Sequence, residues 1–207
     1  MDNVFPERVL FLDHDGVICL EHNWGSRKRK QSSVPQINQL LESHRPIPVY
    51  YRFDDFDSQA VSILNEILSI SKAEIVVMSS WWQFATLDEM REYYHRYGIS
   101  KLPIDMPNPL DESRYKTVRV RAPRLSAEHH RKSFDIRHFL DQTPSVKYWV
   151  AVDDSDLQPH PDFWVDNFVR IDDVTSGICG PGIKEKILSY FPNDNLANES
   201  GILPGDL

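Results

Sequence analysis

The chain has 207 residues, 41% hydrophobic and 26% charged, enough for one well-buried α/β domain with a small insertion. A formal net charge of -8 argues mildly against nucleic-acid binding by bulk electrostatics, though not against local basic patches. Cys19 and Cys179 imply no disulfide framework and favour a reducing compartment, and no apolar run approaches the length of a membrane span.

The N-terminal stretch Met1-Asp2-Asn3-Val4-Phe5-Pro6-Glu7 is acidic and proline-broken, unlike a secretory signal. A cytoplasmic location is expected, with export by a signal-free route left open. Residues 8 to 13 read as the first strand, in which Val9-Leu10-Phe11-Leu12 leads into Asp13-His14-Asp15-Gly16. A buried strand avoids charge unless a cation or hydrogen bonds compensate it. Side chains two apart share a face, so Asp13 and Asp15 can address one site while His14 points away. Gly16 lets the chain turn without a Cβ in its path.

Residues 18–57 read as an irregular insertion, a flap or mini-cap above the strand end. It carries the basic run Arg27-Lys28-Arg29-Lys30, a short helix near Ile37 to Leu41 and a strand near Val49 to Arg52. The helix that follows has Ala60, Ile63, Leu64, Ile67 and Leu68 on one stripe, with Asp57 or Ser58 as its cap. Ala73 to Met78 is the next strand and ends at Ser79-Ser80. Thr86 and Glu89 have capping-box spacing and Gly98 suits the position after a helix end, so Leu87 to Tyr97 is predicted helical. Helix, strand, helix in this order favours a parallel sheet.

Residues 99–125 form a basic, proline-rich insertion that includes Arg114, Lys116, Arg119, Arg121 and Arg124, with a strand expected from Tyr115 to Val120. Lys132 is expected to precede a helix from Ser133 to Gln142, in which Ile136, Phe139 and Leu140 share a face. Trp149-Val150-Ala151-Val152 is a strand ending at Asp153-Asp154, and Phe168 to Ile171 is a last short one. Pro181 opens a final helix, Ile183 to Tyr190. A single domain over 1–192 is expected, with 193–207 a polar tail or linker.

Three apolar strands thus end in Asp13/Asp15, Ser79/Ser80 and Asp153/Asp154, and an open parallel sheet binds its ligands beyond those ends. The inventory suits phosphoryl transfer. Asp13 can act as nucleophile and Asp15 as the acid and base. Lys132 and Ser79 can hold phosphoryl oxygens, while Asp153 and Asp154 add hard ligands for Mg²⁺.

These four motifs, in this order over about residues 8 to 190, resemble the haloacid dehalogenase-like (HAD) superfamily of phosphohydrolases. Phe56-Asp57, Ala73 through Trp81, Lys132-Ser133-Phe134-Asp135-Ile136 and Trp149 through Asp154 are similar to a HAD subgroup found in RNA-repair proteins. That subgroup often has an arginine after the tryptophan, where this chain has Trp82. The resemblance implies a Rossmann-like parallel sheet sandwiched by helices; the interval from Asp15 to Ser79 leaves room only for a small flap or mini-cap, and that from Lys132 to Asp153 none for a second, large cap. The resemblance also implies an aspartyl-phosphate on Asp13 and Mg²⁺ held by Asp13, the backbone carbonyl of Asp15, Asp153 and Asp154. Asp15 is a feature of the superfamily's phosphatases rather than of its ion pumps.

Several positions have competing readings. Ser79 ends the apolar run and is favoured over Ser80 as the phosphate contact, with Ser80 beside it, although a serine there can also simply cap the next turn. Helix phase and the family pattern favour Lys132 over Arg131. Cys19 and His22 have ligand-like spacing, but no second pair completes a zinc site. The run Arg27 to Lys30 suits a solvated loop or a polyanion patch, and Arg119 and Arg121 a positive face that recruits substrate. Trp24, Tyr50, Tyr51, Trp81 and Trp82 either line the entrance or belong to the core. The spacing leaves an open site accessible to a phosphorylated macromolecule, either a protein side chain (phosphotyrosine included) or a nucleic-acid end. A small nucleotide substrate and a catalytically idle HAD fold used for binding are the alternatives.

Overall fold

The computed structural model describes residues 6–107, 128–157 and 167–192, with backbone alone for 128–131. β1 (Arg8–Leu12), β2 (Glu74–Val77), β3 (Tyr148–Asp153) and β4 (Phe168–Arg170) form a sheet of order β2-β1-β3-β4, every pair parallel. Val9, Leu10, Phe11 and Leu12 are fully buried, the expected state of a strand covered on both faces.

Alternation along the strands splits the core. Leu10, Leu12, Ile75, Val77, Val150 and Val152 face the larger cluster, and Val9, Phe11, Val76 and Ala151 face a smaller one on the opposite side. The larger cluster is covered by α3 (Ser58–Ser71), α4 (Leu87–Arg96) and α6 (Ile183–Leu188). The smaller is covered by α5 (Glu128–Gln142) through Ile136.

Local chemistry sets these helices. Asp57 caps α3 by accepting hydrogen bonds from the N–H groups of Gln59 and Ala60, each at 2.9 Å, an interaction worth about 1 kcal/mol. The α3 stripe buries Ala60, Val61, Leu64, Ile67 and Leu68, with Ile63 half-buried. Thr86 and Glu89 form the capping box of α4, and Gly98 follows that helix in the left-handed region at φ 72°.

Three expectations need correction. Within residues 18–57 the short helix expected near Ile37 to Leu41 is present as α2 (Pro35–Glu42), but the basic run, expected to be irregular, is also helical, as α1 (Ser26–Ser32). Arginine, lysine and glutamine are good helix formers, which apolar periodicity alone does not register. Val49–Tyr51 is a 3-10 turn rather than a strand, opening after Pro48. α5 begins at Glu128, so Lys132 lies inside the helix and not before it; the apolar spacing starts too late to mark the polar first turn. One bridge was not anticipated, pairing Asp105 with Val76 beside β2. The expected strand at 115–120 and the tail 193–207 lie outside the described residues.

Candidate active site

β1→β2 and β2→β3 run in opposite directions across the sheet, so the order reverses at β1 and opens a crevice beyond the strand ends. Leu12 pairs with Val152, which sets Asp13 beside Asp153; the Asp13 N–H donates to the Val152 carbonyl at 3.0 Å. On the other side the Met78 N–H donates to the Leu12 carbonyl at 2.8 Å, bringing Ser79 to the same edge. Register alone thus gathers the ends of three strands.

α5 brings Lys132 in from the face of the smaller cluster. Its Nζ donates to Asp13 Oδ2 and to Asp153 Oδ2, both at 2.8 Å, with all three residues buried. Carboxylate oxygens of Asp13, Asp153 and Asp154 lie within 4.8 Å of one another, a grouping able to hold a metal ion. Ser155 fixes the pair by donating its N–H to Asp153 Oδ1 at 2.9 Å and its hydroxyl to Asp154 Oδ1 at 3.3 Å.

The centre is short of positive charge. Burial and the Asp13 charge raise the Asp153 and Asp154 carboxyls above the usual carboxylate range, despite the Lys132 ammonium. Burial by itself would lower the Lys132 pKa, but Asp13 and Asp153 together outweigh it and hold the ammonium charged. Three hard oxygen donors with one cation suit a divalent ion such as Mg²⁺. Cys19 and His22 do not come together as a zinc pair: the buried Cys19 thiol lies beside the Asp15 carboxylate, and burial together with that charge and hydrogen bond holds it protonated, while His22 Nε2 lies 3.1 Å from Asp57 Oδ2.

Asp15 is half-buried and belongs to a different wall. Its Oδ2 accepts a hydrogen bond from Trp81 Nε1 at 2.9 Å. Burial first and Asp13 second push its carboxyl up to about 6, with the Trp81 hydrogen bond opposing the rise. Gly16 follows at φ +70°, and a Cβ there would stand 2.8 Å from Asp154 Oδ2 and from Val174 Cγ1. Glycine is therefore needed both for the turn and for the approach of Asp154.

Ser79 is buried, and its hydroxyl oxygen accepts a long 3.5 Å hydrogen bond from the Trp81 N–H, capping the 3-10 turn Ser80–Gln83. The capping role is thus present, and it leaves the Ser79 O–H free to donate. Ser80 opens the turn and is half-buried. His14 points away from the carboxylates: its Nε2 lies 2.8 Å from the Tyr94 hydroxyl, and burial pulls its pKa down to about 3, keeping it neutral. Arg119 and Arg121 lie outside the described residues.

The basic run is partly structural. Lys30 donates to Asp55 at 2.6 Å and sits 4.1 Å from the Tyr50 ring centroid, while Lys28 and Arg29 remain exposed. Trp81 belongs to the core and Trp24 is exposed, so the aromatics do not form one group. The contact of Trp81 with Asp15 is the feature that sequence reasoning missed. Its one trace is a tryptophan two residues past the second strand's serine.

An α/β sheet whose first strand ends in Asp-x-Asp, with a lysine and an acidic pair closing on it, has the architecture of the HAD-type phosphohydrolases. Residues 9–178 match the model of the HAD domain in Swiss Army Knife RNA repair proteins, and the chain belongs to that family. Phosphohydrolase activity is what this membership implies. Neither the curated proteins nor the solved structures give a match. Among the described residues no helix is long and apolar enough to cross a membrane, and both cysteines are free.

Proposed function

We propose that the protein is a Mg²⁺-dependent phosphomonoesterase that removes a terminal phosphate from a nucleic-acid end through an aspartyl-phosphate on Asp13. The observation that carries this reading is Lys132 bridging Asp13 and Asp153 at 2.8 Å beside Asp154. Asp13, Asp153, Asp154 and the Asp15 backbone carbonyl would hold Mg²⁺, which when bound screens the negative charge of the phosphate from that of its attacker.

In the first half-reaction an Asp13 oxygen attacks phosphorus, the bond to the substrate oxygen breaks, and Asp15 gives that oxygen its proton. In the second, water attacks phosphorus and Asp15 takes a proton from it. The bond to Asp13 breaks, releasing inorganic phosphate and restoring the carboxylate. A carboxyl raised to about 6 is suited to both duties near neutral pH. Lys132 and the Ser79 hydroxyl steady the phosphoryl oxygens, with Ser80, Arg119 and Arg121 proposed to contact the substrate.

The family's place in RNA repair supports a nucleic-acid end as substrate. The net charge of -8 is the observation that favours a phosphoprotein instead. Phosphate release from 5′- and 3′-phosphorylated oligonucleotides, phosphopeptides and mononucleotides decides between them. The expected result is release from oligonucleotide ends that requires Mg²⁺ and is lost in Asp13→Asn. Preference for phosphopeptides or mononucleotides overturns the substrate class, an active Asp13→Asn overturns the mechanism, and binding without turnover across the panel favours an idle binding module.

A further inference from the structure

Trp81 is 6% exposed and lies almost parallel to two phenylalanine rings, Phe53 at 4.3 Å and 5° and Phe56 at 5.5 Å and 6°. The edges of Tyr93 at 5.8 Å and His14 at 4.5 Å close around it. This layer is tied down in turn: the Tyr93 hydroxyl donates to the Asp54 carbonyl at 2.7 Å, and His14 pairs with the Tyr94 hydroxyl. An indole so packed has one orientation, and its single N–H points at Asp15 Oδ2, 2.9 Å away.

A core tryptophan needs some acceptor for its N–H, and a backbone carbonyl would serve. Here the acceptor is instead a half-buried carboxylate on the reactive turn, two residues past Asp13. The bond also distinguishes the two carboxyl oxygens. In a carboxylic acid the carbonyl oxygen is the better acceptor, so an N–H on Oδ2 leaves the acidic proton on Oδ1. A freely rotating carboxyl would present its proton on either oxygen and spend part of its time turned away from the substrate.

We propose that Trp81 is a positioning residue for Asp15: its packed indole N–H fixes which carboxyl oxygen carries the transferable proton and holds that oxygen toward the phosphoester. This rests on the acid–base role assigned to Asp15 above. In the first half-reaction the proton passes from Oδ1 to the leaving oxygen as the ester bond breaks; in the second, Oδ1 takes it back from water. Trp81 itself exchanges nothing and touches neither substrate nor metal.

The test compares Trp81→Phe with wild type on phenyl phosphate and 4-nitrophenyl phosphate, both with Mg²⁺, reading kcat/KM. That ratio covers the steps through departure of the leaving group. Phenolate is a poor leaving group that needs the acid's proton, while 4-nitrophenolate departs largely without it. Phenylalanine keeps the ring and removes the N–H, so kcat/KM for phenyl phosphate should fall roughly 10- to 100-fold. The value for 4-nitrophenyl phosphate should stay within about twofold, since it draws little on the acid. The quotient of the two values is independent of how much protein is correctly folded. Phe53→Leu, which keeps the N–H but loosens the stack, should shift the quotient in the same direction by less. An equal fall on both substrates shows a merely structural tryptophan and overturns the proposal, as does no change on either. A wild type inactive on both overturns the phosphatase reading itself; an active wild type with an unmoved quotient overturns only the role of Trp81.

Discussion

On one face of the sheet Leu10, Leu12, Ile75 and Val77 meet α3, α4 and a layer containing Phe53, Phe56, Trp81, Tyr93 and Tyr94. On the other, Val9, Phe11, Val76 and Ala151 meet Ile136 and Leu157, with Phe139 and Trp149 set edge-on against Phe11. Each face supplies one part of the site. The thick aromatic side holds Asp15 through Trp81, and the thinner side carries Lys132 on α5. The Asp15 carboxyl, the proposed proton donor, is therefore set by rigid packing, whereas Lys132, the proposed phosphate-side cation, is set by charge, held between two acids. Damage to one face should accordingly change a different part of the reaction from damage to the other.

The largest effect is expected on the thinner side. Lys132→Met should lower kcat by roughly 10²- to 10³-fold through loss of charge stabilisation. It also leaves Asp13 and Asp153 buried without their partner, which should cost about 3–5 kcal/mol in urea unfolding without metal. Added Mg²⁺ should return part of that stability by binding the folded state. A variant as stable as wild type in EDTA would show that the two carboxylates are not charged together in the fold.

Next come the supporting rings. Phe56→Ala on the aromatic face removes a buried side chain stacked on Trp81 and should cost about 3–5 kcal/mol. Phe139→Ala removes a half-buried ring from the other face and should cost less. Only the first should alter the phenyl to 4-nitrophenyl ratio, and a shift of that ratio in both variants would erase the distinction between the faces.

Proton transfer gives the third effect. In the proposed reaction Asp15 acts first as an acid, and its carboxyl is raised to about 6, so the protonated fraction declines as pH rises through that value. The kcat/KM for phenyl phosphate should therefore drop about tenfold per pH unit well above 6. In Asp15→Asn that alkaline limb should vanish along with most of the rate. A limb of unchanged position in the variant would assign it to another group.

The smallest effect is a slope in stability. His14 is held neutral with its pKa near 3, against 6.5 when exposed. Protons bind the unfolded chain first, so this contribution is whole above about 6.5 and is lost as pH falls toward 3, by at most about 1.4 kcal/mol per unit. Urea midpoints at pH 7.5 and 5.5 should differ less in His14→Gln than in wild type, and equal differences would remove His14 from the acid sensitivity of the aromatic layer.

Much of this was legible in the sequence because its signals are local. The Val9–Leu12 run, the Asp57 cap, the Thr86–Glu89 box and the ends of β2 and β3 each depend on neighbours within a few residues. Within residues 18–57 the helix near Ile37 is legible, but α1 is not, because it is polar around much of its surface and apolar periodicity does not register it. The start of α5 was missed for a related reason, its apolar spacing beginning after Lys132.

The sequence by itself determined the chemistry on offer: carboxylates, a lysine and a serine at the ends of apolar strands, in an order that names the family. Tertiary structure decided which of them meet. Strand register placed Asp13 beside Asp153, helix packing brought Lys132 between them from 119 residues away, and the indole of Trp81 came to rest on Asp15 from 66 residues away. Contacts over such separations follow from how faces pack, and no local pattern encodes them. The opening Asp-x-Asp was visible as a reactive pair, but only the fold could show that its two members are held from opposite sides of the sheet.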